Sequence, residues 1–572
     1  MHAVEIVLVV LLLGALTGIV ARYLRAVPLP LIQIALGALL SWPQDGLHIA
    51  FDPELFLALF IPPLLFADGW RIPKREFFAL QAPILRLALG LVLFTVLGLG
   101  TLIHWLLPEV PLAVAFALAA VVSPTDAVAV SAITRNLGLP ARTLHLLQGE
   151  SLLNDASGLV ALKFAVAATL TGVFSWTAAV REFLWVALGG LGVGALLGWG
   201  FAAARETVTR RVGDVAATQM VLLLVLLPFA AYLLAEHVGV SGILAAVAAG
   251  FTTNYADLRR SAFIGERMQS EGVWAMMESA FNGAVFLLLG LQLPLIVGRT
   301  LHAAGERWWL PAGQALAISL GLLGLRWIWL WLGVRGSLWR ASERGGSGER
   351  PSRLLTLATT LAGIRGAVTL AGALSVPLLM ADGTPFPARD QLVFLATGTI
   401  LCTLVIGSIG LPLALRRLPA SGEPLLARED RQARMAACRA AIDFLARPPQ
   451  GAQADDAVWR ARHQEAAGRL TQDYRKRIDM LDAPDAAQTP EAQADSPEAV
   501  HERRQRYLVE MKLRLAALRA ERETLYAERQ AQRINDETLR ALVAELDLAE
   551  VSLRKRLGVA HRAQGLPTGE GD

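Results

Sequence analysis

Cysteine is nearly absent from this 572-residue chain, and the two present lie far apart: Cys402 in a hydrophobic run, Cys438 in a polar tail. No disulfide framework and no thiolate metal spacing follow from them. The nine histidines are scattered without a His-x-x-x-His pair, so no resident metal or other cofactor is expected. Charge is scarce too, at 18% of residues, and the net +4 is spread along the loops rather than gathered into a basic patch. Nucleic acid is therefore not an expected partner. The first apolar run, Val4 to Val20, lacks a basic segment before it and carries Arg22 and Arg25 after it. That is the pattern of an uncleaved first span, not of a signal peptide.

What is present is hydrophobic length. With 54% apolar residues and a positive mean hydropathy, the chain reads as an all-α polytopic membrane protein. Segments long enough to cross a bilayer fall near 4–21, 28–43, 52–69, 83–107, 111–134, 143–173, 182–204, 215–236, 239–254, 273–293, 308–333, 353–380 and 391–415, about thirteen in all. Alternate loops hold most of the Lys and Arg: Arg71, Lys74 and Arg75; Arg135 and Arg142; Arg205, Arg210 and Arg211; Arg259, Arg260 and Arg267; Arg335 to Arg353; Arg416 and Arg417. Positive residues stay in the cytoplasm, which predicts a multi-pass membrane protein with its N-terminus outside and its C-terminus inside. Residues 1–417 form this membrane domain. From 418 to 572 the chain turns Ala, Arg and Glu rich, a helical cytoplasmic tail with a Pro, Ala and Asp rich linker near 482–498 and helically spaced apolar residues between Arg504 and Leu557. That spacing suggests an amphipathic hairpin or short coiled coil.

Two spans are damaged as helices, and such spans are where transporters place their sites. Span 5 carries Ser123, Pro124, Thr125 and Asp126; span 12 is rich in Gly and Thr around Arg365. If six-span units repeat in inverted sense around span 7, these two breaks occupy equivalent positions and cross at the midplane. Span 6 brings Glu150, Ser151, Asn154 and Asp155. Ser151 and Asp155 share a helix face, and Glu150 and Asn154 form the neighbouring row. An ionised side chain at the bilayer centre costs about 2.5 to 3.5 kcal/mol on insertion scales, so each needs a partner or a purpose. Glu150 and Arg365 can neutralise each other as a structural pair, which would leave Asp155 as the acid free to exchange ligands. Asn154, Ser151, Thr125 and the carbonyls of the broken span complete an oxygen cage suited to Na⁺ or Li⁺. One carboxylate that holds a proton or a cation, never both, is all that exchange requires.

At these residues the chain resembles the first cation/proton antiporter family, which includes bacterial sodium/proton and animal sodium/hydrogen exchangers. The resemblance rests on GESLLND at 149–155, supported by SPTDAVAV at 123–130, GIRGAV at 363–368, FIPPLLFADGW at 60–70 and SGILAAVAAG at 241–250. It spans the membrane domain and leaves the tail largely uncovered. It implies Asp155 as the ligand of the transported ion and proton, with Asn154, Ser151 and Thr125 beside it. It further implies Asp126 as the stabiliser of the crossing, Glu150 with Arg365 as the ion pair, and a homodimer. Asn154 before the key aspartate sides with the family's electroneutral members. Where many relatives carry an acid after the phenylalanine of span 3, this chain has Ala67, with Asp68 one place on. The acid on span 10 of animal members corresponds to Asn282, with Glu278 a turn earlier.

Plainer readings stand beside these. Asp155 and Asn154 can act as a polar clamp between helices, Asp126 can cap the second half of a broken helix, and Asp68 beside Arg71 and Lys74 reads as an interfacial charge. Arg86 and Arg326 fall in apolar segments with no polar pattern to assign them a role. Lys163, eight residues beyond Asp155, either snorkels outward or pairs with an acid. The function expected is secondary antiport of a monovalent cation against protons, serving pH and sodium homeostasis. Na⁺ is the leading cation, with Li⁺ and K⁺ as alternatives. An intramembrane aspartyl protease using Asp126 and Asp155 would need a Gly-x-Gly-Asp within a span, and a channel a repeated pore loop. Neither element is present.

Overall fold

The computed structural model describes residues 2–24, 27–42, 53–134, 139–172, 176–212, 217–257, 264–304, 309–343, 352–380, 383–418, 435, 438–446, 457–481, 511, 514–515, 518, 521–525 and 536–563. The predicted linker at 482–498, most of the apolar repeat before 536, and the loop arginines Arg135, Arg259, Arg260 and Arg350 lie outside those residues. The chain divides into two compact units, 1–420 and 421–572.

The first unit is helical throughout. Its helices are α1 (His2–Tyr23), α2 (Leu29–Ser41), α3 (Pro53–Leu59), α4 (Ile61–Arg71), α5 (Lys74–Ala79), α6 (Gln81–Leu85), α7 (Val92–Leu106), α8 (Leu112–Val121), α9 (Ala127–Thr134) and α10 (Ala141–Thr171). They continue as α11 (Trp176–Val212), α12 (Ala217–His237), α13 (Gly242–Asp257), α14 (Ile264–Ala304), α15 (Trp309–Glu343), α16 (Arg353–Leu361), α17 (Ala367–Leu374) and α18 (Arg389–Arg416). A π turn over Arg86–Leu91 joins α6 to α7. Among the described residues seven helices are long and apolar enough to cross a membrane, and Leu8–Ala21, Leu29–Ser41, Leu112–Val121 and Gly242–Asn254 are shorter apolar helices. The segments expected at 52–69 and 353–380 fold as the helix pairs α3–α4 and α16–α17.

The helices sort into two bundles. One packs α1–α4 with α11–α14; the other packs α5–α10 with α15–α18. In the first, α11 and α13 approach at backbone distance through Gly190, Gly194 and Gly198, where an added Cβ would fall 2.5, 2.0 and 2.6 Å from the carbonyls of Ser241, Ala245 and Ala249. Small residues four apart let helices meet this closely where lipid supplies no hydrophobic drive. In the second bundle the core is built on α8, with Ala115, Ala117, Ala119 and Ala120 fully buried against Leu99, Leu118, Ile318, Leu322 and Ile400.

In the second unit, α19 (Ala457–Leu481) and α20 (Asp536–Ala563) are long polar helices. Arg522 donates to Asp547 and Glu550 at 2.6 Å each, tying the short helical stretch 521–525 to α20. Among the described residues, Met435, Leu481 and Met511 are its buried apolar side chains.

Candidate ion-binding site

The site begins with a proline. Pro124 has no N–H to donate to the carbonyl of Ala120, and Ser123 takes that acceptor instead, with its hydroxyl at 3.0 Å and its amide at 3.3 Å. α8 therefore stops at Val121 and the chain runs non-helical to α9. Three of the carbonyls freed by the break take side-chain donors. Val122 and Ser123 accept from the Arg365 guanidinium at 2.7 and 3.3 Å, and Thr125 accepts from the Ser151 hydroxyl at 2.8 Å.

The second break mirrors the first. α16 ends at Leu361 and α17 starts at Ala367, with Gly366 extended between them. The two breaks cross in contact: the amide of Asp126 donates to the carbonyl of Ile364 at 2.8 Å. Asp126 Oδ1 accepts from Val128 and Ala129 at 2.8 and 3.1 Å, capping α9. Arg365 lies at the C-terminal ends of α8 and α16, where it also donates to the Gly363 carbonyl. Opposite charges thus face opposite helix ends. The crossing is also tight, because a Cβ on Gly366 would meet Asp126 Oδ2 at 2.1 Å.

α10 delivers the remaining groups. Ser151 Oγ accepts from the Ala127 amide at 3.2 Å, and Asn154 Nδ2 donates to Thr125 Oγ1 at 2.8 Å. Thr125 Oγ1 in turn donates to Glu150 Oε1 at 3.4 Å. Asn154 Oδ1 is buried with no hydrogen-bond partner among the described residues, and Asp155 is 6% exposed. Asp155, Ser151, Thr125, Asp126 and Asp68 line one cavity of about 60 Å³, with Asn282 on its far wall. That is room for a cation with one or two water molecules. Asn154 stands behind this lining, held against Thr125.

The expected pair of Glu150 with Arg365 does not form. Glu150 is clasped by Arg326 of α15, Nη1 to Oε1 and Nη2 to Oε2, the second at 2.8 Å. Both residues are 1% exposed, and Arg326 Nε donates to the Thr359 carbonyl at 3.2 Å. Arg365 is spent on backbone carbonyls because the break leaves them no other donor. In the apolar pattern of α15 nothing marks Arg326 as a partner. The only signal was its charge inside a span, which requires some counter-charge.

Asp68 is the second difference. It lies on the cavity wall contributed by α4, lining the ion cavity together with Asp155 of the other bundle. Its neighbour Arg71 pairs with Glu278 of α14 instead. Below them, Lys74 closes the C-terminal end of α4, donating to Gly69, Ile72 and Trp70 carbonyls at 2.8, 3.1 and 3.3 Å under the ring of Phe251. Burial pushes this ammonium down to about 7.

Residues 7–417 match the family described as sodium/hydrogen exchanger, transmembrane. The chain is a member of that family. It is 44% identical over 556 residues to an uncharacterized Na(+)/H(+) exchanger, YjcE, of Escherichia coli, covering 96% of this chain and 98% of that one. It is 46% identical over 408 residues to a sodium, potassium, lithium and rubidium/H(+) antiporter of Bacillus pumilus, covering 71% of this chain and 60% of that one. The sodium proton antiporter MjNhaP1 of Methanocaldococcus jannaschii, solved at pH 8, shares the fold, with TM-score 0.57, 20% identity and coverage of 74% of this chain and 99% of that chain. This exchanger is a multi-pass secondary antiporter of Na⁺ or a related monovalent cation against protons.

Proposed function

We propose that this exchanger binds its cation and its proton alternately at Asp155. The cavity where Asp155 meets Thr125, Ser151, Asp126 and Asp68 at the crossing of two broken helices carries this reading. A hard monovalent cation takes oxygen ligands, and the cavity offers carboxylates, hydroxyls and the freed backbone of residues 122–126. Asn154 orients Thr125, and its unpartnered Oδ1 stands next in line as a ligand. Asp126 stays with the α9 cap, while Glu150 with Arg326 and Arg365 with the carbonyls hold the crossing. Asp68 brings a carboxylate from the opposite bundle, at the point where a cation passing between bundles is handed over. Na⁺ is the preferred cation, with Li⁺ and K⁺ as competitors, and one cation exchanges for one proton.

The thirteen segments form thirteen passes, with inverted repeats placing α8–α9 and α16–α17 in equivalent positions. The face bearing Arg71, Arg142, Arg353 and Arg416 is cytoplasmic, which puts the N-terminus outside and residues 418–572 in the cytoplasm of a bacterial cell. Two copies associate as a homodimer. The test is cation-dependent collapse of a preset pH gradient in proteoliposomes, comparing Na⁺, Li⁺ and K⁺ for wild type and Asp155→Asn. Exchange by the wild type and silence in the variant support the assignment. A variant that transports like the wild type reduces Asp155 to a helix clamp and overturns it.

A further inference from the structure

A second, larger cavity of about 680 Å³ lies between the two bundles, toward the face opposite Arg71. The ion cavity is one helical turn away along α10 and four residues away across the α3–α4 turn. Leu159 and Leu57 line the large cavity, and four residues further on each path Asp155 and Ile61 line the small one. Four residues rise about 6 Å. The outer cavity therefore ends about one turn of α10 short of the site.

Two charges of opposite sign line this cavity, one on each bundle: Lys163 on α10 and Glu236 on α12. Lys163 sits eight residues inside the end of α10, about 12 Å along the helix, in a span where a bare ammonium is costly. Among the described residues it has no ion-pair or hydrogen-bond partner, and its side chain is exposed to the cavity. Glu236 uses Oε1 to accept from the Gly242 amide at 3.0 Å, which holds the carboxylate at the start of α13. While the cavity is open, water satisfies both. When the bundles slide to expose the site on the other face, the cavity shrinks and Lys163 loses that water. An ammonium buried without a counter-charge is strongly unfavourable, and the carboxylate across the cavity is Glu236.

We propose that Lys163 and Glu236 form a latch that pairs only when the outer cavity is closed, stabilising the state in which the site faces the cytoplasm. This rests on the antiport reading above and on its orientation. Both residues are positioning residues, acting on the bundle equilibrium and not on the bound ion. Neither is part of the ion cavity.

The experiment uses the full chain in proteoliposomes with charge reversals. Lys163→Glu and Glu236→Lys each place like charges across the closing cavity and are expected to slow exchange by about tenfold or more. The double variant K163E/E236K restores exchange to within about threefold of wild type. A second readout does not depend on those variants folding. Ser375, which lines the same cavity, is replaced by Cys in a background lacking Cys402 and Cys438, and labelled with a membrane-impermeant maleimide from outside. Lys163→Gln removes the latch, holds the cavity open for longer, and is expected to speed labelling by about two- to tenfold. Single reversals that transport normally, a double variant no better than the singles, or unchanged labelling each overturn the latch. Absence of cation-dependent exchange in the wild type itself would instead sink the antiport reading, so the two failures are distinguishable.

Discussion

Removing either partner of the Glu150–Arg326 pair leaves a full charge in a place with almost no access to water. The two side chains meet as a fork on a fork, with one of the two contacts at 2.8 Å and 1% exposure on each side. Taking charge centres about 4 Å apart and an effective dielectric near 20, the attraction is about 4 kcal/mol. Breaking a buried pair from one side typically costs about 3 to 5 kcal/mol. The assay is equilibrium unfolding in detergent micelles of Glu150→Gln, Arg326→Gln and their double. Each single substitution also disturbs other bonds, Thr125 to Glu150 and Arg326 to Thr359, and the double-mutant cycle subtracts these. A coupling of about 2 to 4 kcal/mol is expected for Glu150 with Arg326. A parallel cycle with Arg365→Gln should give a much smaller value, since Arg365 serves backbone carbonyls. A larger coupling to Arg365 than to Arg326 would refute the pairing.

Other perturbations probe the crossing and the titration. Gly366→Ala drives a methyl group into Asp126, so overpacking of about 1 to 3 kcal/mol or more is expected; the check is loss of exchange with purified yield and gel-filtration profile recorded alongside. Because one carboxylate takes a proton or a cation, the apparent KM for Na⁺ should rise about tenfold per pH unit on the acid limb. A slope near two would mean that a second carboxylate such as Asp68 joins the exchange, against the one-for-one reading. Lys74 gives a stability signature: its folded value near 7 lies below the ordinary lysine value, so the unfolded chain holds a proton that the folded chain gives up. Stability should therefore rise with pH from about 7 toward the ordinary lysine range, and the rise should vanish in Lys74→Met when unfolding midpoints are compared at neutral and alkaline pH.

The elements that sequence determined are those whose cause is local. Pro124 lacks the donor that would continue α8, and Asp126 two residues on caps α9 through its own neighbours Val128 and Ala129; Pro228, Pro294 and Pro412 lie inside continuous helices, so the missing donor weakens a helix without by itself ending it. The four-residue spacing of Ser151 and Asp155 puts both on one face of α10 in any environment, and both do line the ion cavity. Hydrophobic length likewise set the apolar helices, since each need only satisfy its own backbone.

Tertiary structure decided the partners. The residue pattern points Glu150 to Arg365 beside the second break and assigns no role to Arg326, in an unmarked stretch of α15; only the bundle geometry turns Arg326 onto it. Arg365 is drawn away because the first break, 242 and 243 residues earlier in the chain, presents the carbonyls of Ser123 and Val122 at its fork. Asp68 reads as an edge charge from its neighbours Arg71 and Lys74, yet α4 turns it into the ion cavity while Arg71 goes to Glu278 and Lys74 to the carbonyls of α4. Helical periodicity fixes which residues share a face. What that face meets depends on how the helices cross, and that is a property of the packed bundle, not of any one segment.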